Sequence, residues 1–223
     1  MPLANIVVET FLKGGPIMWP ILACLVVALA TVAERVLYWR KVRRLRADPI
    51  FAEALGDVRL GRFGPVWERT RDAASPFLVA LRAGLANGRA EPVTAMQLSA
   101  EETLEEAGAR QWLLSTIVTL APLLGLLGTV IGIMGSFQFI GSEQLAVAKV
   151  SGGVGEALIA TAAGLGIAIV CLIPHNYFHR RVQALRHDLE QAVNQAEVAL
   201  KAAAAAGQPV GEFQPETAAG RAR

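Results

Sequence analysis

No aspartate, glutamate, lysine or arginine occurs between Arg110 and Glu143. A helix rising ~1.5 Å per residue over that distance outruns the ~30 Å hydrocarbon core of a bilayer, so it must tilt or protrude. Trp112 stands near one end and Phe137 and Phe139 near the other, as interfacial aromatics do. Two further windows share this character. Residues 16–33 end sharply at Glu34-Arg35; residues 157–178 follow Glu156 and close on His175, Tyr177, His179 and Arg180. Only 18% of the 223 residues are charged and mean hydropathy is +0.42, so charge is segregated as a membrane chain requires. The reading is an all-α integral membrane protein with three transmembrane helices and long cytoplasmic helical extensions. A net charge of +2 points to no nucleic-acid partner.

Basic residues set the orientation. One lysine, Lys13, precedes the first window; thirteen Lys and Arg fall in residues 35–110; Lys149 stands alone between the second and third windows; six follow Phe178. The alternation predicts an N-terminus outside and a C-terminus in the cytoplasm. Residues 1–15 form an outside segment, 16–34 the first span, 35–110 a cytoplasmic helical domain and 111–140 the second span. Residues 141–155 form an outside loop, 156–178 the third span, 179–206 a cytoplasmic helix and 207–223 a disordered tail. Residues 30–33 resemble a signal cleavage site, but fifteen residues with one basic group precede the window, which favours a retained helix.

Residues 38–46 continue the first helix, with their basic side chains at lipid headgroups, until Asp48-Pro49 breaks it. Residues 61–65 read as a turn and 77–85 as a short amphipathic helix stopped near Asn87-Gly88. From Pro92 the pattern runs helical without a breaker into the second window. Its cluster Glu101, Glu102, Glu105 and Glu106 reads as a solvated face. Val182, Leu185, Leu189, Val193 and Val198 make a stripe facing a partner helix. Cys24 and Cys171, the only cysteines, lie inside apolar windows and read as polarizable packing residues; no Cys/His spacing suggests a metal site.

Gly125, Gly128, Gly132 and Gly135 recur at spacings of three, four and three, which places them on one helical face, with Ala121 extending it and Thr129 and Ser136 beside it. Leu123, Leu127, Val130 and Met134 take the opposite face. Small residues let backbones approach closely in lipid, so the face reads first as a packing seam. The third span repeats the asymmetry: Glu156, Ala160, Gly164, Ile167 and Cys171 along one side, Ala157, Thr161 and Ala168 at its edge, and Leu158, Leu165, Ile169 and Leu172 on the other. Three spans enclose a cavity poorly, whereas several copies can turn these faces inward around a space or a guest helix. Glu156 is either a carboxylate facing a cavity or an N-terminal cap of its helix. Glu34-Arg35 is either a snorkelling pair at the inner interface or a functional one. Pro122 and Pro174 are expected to kink or loosen their helices, and His175 to anchor at the interface.

Residues 16–35, the run 121–137 and the run Gly-Glu-Ala-Leu-Ile-Ala-Thr-Ala-Ala-Gly-Leu-Gly-Ile-Ala at 155–168 resemble the MotA/TolQ/ExbB proton channel family, most closely its ExbB/TolQ branch. The resemblance covers most of residues 10–200. It implies an inner-membrane homo-oligomer, a pentamer, around a dimer of a single-helix ExbD/TolR-like partner that carries the essential aspartate. A TonB- or TolA-like effector would receive the work, with protons as the coupling ion and no other cofactor. It implies that Thr129, Thr161 and Glu156 line the proton path, and that Pro122 and Pro174 are the family's recurring prolines. The fourth helix of MotA-like members is absent.

The reading is therefore a proton-driven motor subunit rather than an enzyme, since no Ser/His/Asp or metal constellation lies inside the windows. One charge crossing ~100 mV releases ~2.3 kcal/mol, enough for a few protons to bias a conformational step. The rival reading is a non-conducting membrane scaffold for envelope proteins.

Overall fold

The computed structural model describes residues 2–46, 50–88, 91–138 and 146–208, and among them the regular structure is helical throughout. The helices are α1 (Pro2–Lys13), α2 (Met18–Arg46), α3 (Ile50–Arg59), α4 (Phe63–Arg69), α5 (Pro76–Ala86), α6 (Pro92–Gly108), α7 (Gln111–Phe137) and α8 (Ala146–Ala205). Three stretches are long and apolar enough to cross a membrane, within Met18–Arg43, Pro92–Phe137 and Val150–Ala205. The chain divides into two compact units, one of residues 1–35 and 110–179, the other of residues 36–109 and 180–223.

The first unit holds α1, the first part of α2, α7 and the first part of α8. Gly125 and Gly128 of α7 lie against Ala160 and Thr161, and Gly132 against Gly153 and Ala157, so α7 and α8 run antiparallel. Met18, Ile21 and Ala160 form a small buried cluster joined by Phe11, Ile17, Leu124, Ile159, Ala163 and Ile167. The outward faces stay apolar and uncovered: Leu123, Leu127, Val130, Met134, Leu158, Leu165, Ile169 and Leu172 are all exposed. Water would not tolerate so continuous an apolar surface, whereas lipid or other copies cover it at no cost.

The second unit packs α3, α4, α5 and α6 with the last third of α8. Its core joins Ala54, Leu55, Val58, Phe63, Val66, Leu78, Leu81, Leu85 and Met96 to Val193, Ala196, Ala199, Leu200 and Ala203. Arg82 lies over the Trp67 ring at 4.2 Å and donates to the Thr70 carbonyl at 3.0 Å, tying α5 to the end of α4. Glu101, Glu102, Glu105 and Glu106 are exposed, and Glu101 pairs with Arg186 at 2.9 Å.

Several expected boundaries shift. The helix expected to run unbroken from Pro92 stops at Gly108; Arg110 takes the left-handed conformation (φ 62°) and α7 starts at Gln111. No glycine or proline stands at Arg110 to announce that break, because arginine takes the conformation at a steric cost. Residues 146–155, expected as loop, are helical, and the segments expected as third span and as a separate helix over 179–206 belong to one 60-residue helix. Residues 2–13, read only as an outside segment, are helical. The turn at 61–65 is shorter than expected, since α4 begins at Phe63 and takes Pro65 into its first turn. Val198 is exposed rather than on the α8 stripe; past Val193 the 3.6-residue period leads to Ala196, Ala199, Leu200 and Ala203. Pro122 and Pro174 both sit inside continuous helices. The breaker Asp48-Pro49, Phe139, the lone Lys149 side chain and the tail beyond Gln208 lie outside the described residues.

Candidate functional site

The seam between α7 and α8 is built from missing side chains. A Cβ on Gly125 would stand 3.0 Å from Thr161 Cα and 3.1 Å from the Ala160 carbonyl oxygen. On Gly128 it would meet Ala160 Cβ at 2.7 Å and Ile17 Cγ2 at 2.8 Å, and on Gly132 the Gly153 carbonyl oxygen at 2.9 Å. Gly164 lies directly on the Ala121 carbonyl, and Gly153 on the Ser136 hydroxyl. Backbone thus meets backbone along four turns, and Ala160, buried completely, fills the middle. Gly135 departs from this: a Cβ there would meet nothing within 4 Å, because its position falls at the edge of the stripe that Gly125, Gly128 and Gly132 centre.

The two threonines have different surroundings. Thr161 Oγ donates across the seam to the Gly125 carbonyl at 2.9 Å. Thr129 is half-buried and donates within its own helix to the Leu126 carbonyl at 2.6 Å. Both hydroxyl protons therefore point at backbone oxygens, and both hydroxyl oxygens keep lone pairs with which to accept. Ser136 is buried and donates to the Gly132 carbonyl at 2.8 Å.

Glu156, half-buried on α8, brings its carboxylate over Gly15 in the turn between α1 and α2. Gly15 has φ +71°, a conformation glycine takes freely. Lys13, close by in sequence, is engaged elsewhere: it bonds Glu9 at 2.7 Å and so holds the Glu9 carboxyl below its ordinary range. At the other end of the unit, Glu34 bridges two cations, Arg35 at 2.7 Å and Arg110. The Arg35 side chain is buried, so this pair is not the simple snorkelling one. His175 Nδ1 and Gln111 Nε2 are buried without hydrogen-bond partners among the described residues.

Sequence reasoning passed over Gly15, the Ser136–Gly153 contact and Arg110 as the second partner of Glu34. The dipeptide Gly15-Pro16 was a readable turn signal; the other two depend on which helices face one another. Among the described residues, no group of three or more His, Cys, Asp or Glu side chains converges to hold a metal. Cys24 and Cys171 are free thiols.

A helical membrane protein with three candidate spans, two of them joined along a small-residue seam carrying single hydroxyls, is the class these features define. The chain belongs to the MotA/TolQ/ExbB proton channel family, whose profile matches residues 74–191, and its relatives place it in the ExbB/TolQ branch. The ExbB-like 1 protein of Synechocystis sp. is 34% identical over 74% of this chain and 67% of its own length. The biopolymer transport protein ExbB of Neisseria gonorrhoeae is 42% identical over 39% of this chain and 40% of its own, and the Tol-Pal system protein TolQ of Haemophilus influenzae 39% identical over 42% of each.

Proposed function

We propose that this chain is a subunit of a proton-motive-force-driven motor of the bacterial inner membrane, with its N-terminus outside and its C-terminus in the cytoplasm. Copies of it, five in our reading, surround a dimer of an ExbD/TolR-like single-helix partner and couple proton flow to work on a TonB- or TolA-like effector at the cell envelope. Thr129 and Thr161 line the path and Glu156 stands near its outer mouth. Membership of a proton channel family supports the class of activity.

The observation that carries the residue assignment is the direction of the two hydroxyl protons. Thr161 donates to Gly125 and Thr129 to Leu126, so each oxygen presents acceptor lone pairs only. An acceptor beside a guest carboxyl takes a hydrogen bond from the acid when it is protonated and from a water molecule when it is not. Valine keeps the shape of threonine and removes that acceptor. In vesicles holding this protein with its single-helix partner, a Thr129→Val, Thr161→Val double variant is expected to assemble normally and lose proton uptake. Normal uptake and normal energised work would sink the assignment and favour the non-conducting scaffold.

A further inference from the structure

We propose that the turn joining α1 to α2 is the seat of the Glu156 carboxylate, and that Gly15 is a positioning residue for it. This rests on the motor reading for its consequence, though not for its geometry. A Cβ on Gly15 would fall on the Glu156 carboxylate itself, with Cγ of the same side chain 3.0 Å away. The carboxylate therefore occupies the volume that any other residue at position 15 would fill with its own side chain.

Three observations make the contact a seat rather than a chance approach. Gly15 holds a left-handed φ of +71°, so the turn already demands glycine on backbone grounds. The amides of Gly15 and Ile17 donate to no carbonyl among the described residues, while the neighbouring amides of Gly14, Met18 and Trp19 all do. These two free donors stand just before the N-terminus of α2, where the helix presents its positive end. The carboxylate itself has no ion-pair partner among the described residues, and Lys13 is held by Glu9. A half-buried carboxylate at the edge of a span needs compensation, and the positive end of α2 beside this side-chain-free position offers it as a field rather than through a hydrogen bond.

The N-terminal turn, rather than α7, then sets where the carboxylate sits relative to Thr161, one and a half turns further along α8. A substitution at Gly15 expels the carboxylate while leaving Thr129, Thr161 and Glu156 themselves unsubstituted.

The experiment compares Gly15→Ala, Gly15→Asn, Glu156→Ala and the Gly15→Ala, Glu156→Ala pair, all reconstituted in nanodiscs with the single-helix partner. Asparagine tolerates the left-handed backbone yet fills the seat, which separates the volume effect from backbone strain. The first readout is the rate at which dicyclohexylcarbodiimide modifies Glu156, followed by mass spectrometry of the digested protein. A rise of severalfold in both Gly15 variants is expected; an unchanged rate in both overturns the seat. The second readout is proton uptake in vesicles. Gly15→Ala should reduce it as far as Glu156→Ala does and add nothing in the pair; independent, multiplying losses overturn the positioning role. Changed labelling with unchanged uptake keeps the seat and removes the motor role of Glu156, so the two ideas fail separately.

Discussion

Glycines of the small-residue faces are not equivalent, because some meet backbone and others meet nothing. Gly164 rests on the Ala121 carbonyl, a backbone atom with nowhere to go, while Gly135 faces open space among the described residues. Gly164→Ala is expected to lower thermal stability in detergent by about 1–3 kcal/mol, the range of an overpacked core. Gly135→Ala should leave it unchanged or raise it slightly, since alanine favours helix over glycine. Equal melting shifts for the two would mean that the seam is looser than its contacts indicate. Gly132→Leu acts on the same seam, through the Gly153 carbonyl oxygen, and so separates α7 from α8 within one chain. The spacing of glycines made the face legible in the sequence, but not its centre. Gly128 and Gly132 are covered and Gly135 is not, although α8 reaches Ser136 one residue further on, because the centre of the stripe is set by how α7 is rotated against its partner helix.

At the level of elements, periodicity exposed the long helices and hid their ends. The faces of α7 and α8 follow from the alternation of small and large residues, because a 3.6-residue period and lipid-facing leucines leave little choice. The break at Arg110 was not legible, since its cause is a left-handed arginine whose side chain pairs with Glu34 on another helix. The α8 stripe illustrates the same limit. Large residues drew the eye to Val198, yet the core is continued by Ala196, Ala199 and Ala203, whose small size admits close approach. Val198→Lys should therefore cost less than ~0.5 kcal/mol, as exposed substitutions do. Leu189→Ala, at a fully buried site, should cost about 2–5 kcal/mol in urea or thermal unfolding of the purified protein. A larger loss at Val198 than at Leu189 would reverse the assignment of faces.

For the whole molecule, orientation is the property that charge alone predicts and packing leaves open. Lys and Arg crowd residues 35–110 and are nearly absent from residues 1–15 and 141–155. A cytoplasm-dependent reporter fused after Gly207 should be active, and a cysteine replacing Ser142 should react with an impermeant thiol reagent in intact cells. Labelling of Ser142→Cys only after permeabilisation would invert the topology and, with it, the side on which Glu156 lies.

The length of α8 has a mechanical meaning. Sixty residues in one helix make a rod of ~90 Å. Such a rod carries bending and twist along its length unless a rung of its ladder is absent. One rung is absent: Pro174, the single proline within α8, has no amide to offer the Val170 carbonyl. Stiffness is lowest at that point, so any torsion imposed on α8 concentrates its strain in the turn between Val170 and Pro174, as a notch concentrates it in a beam.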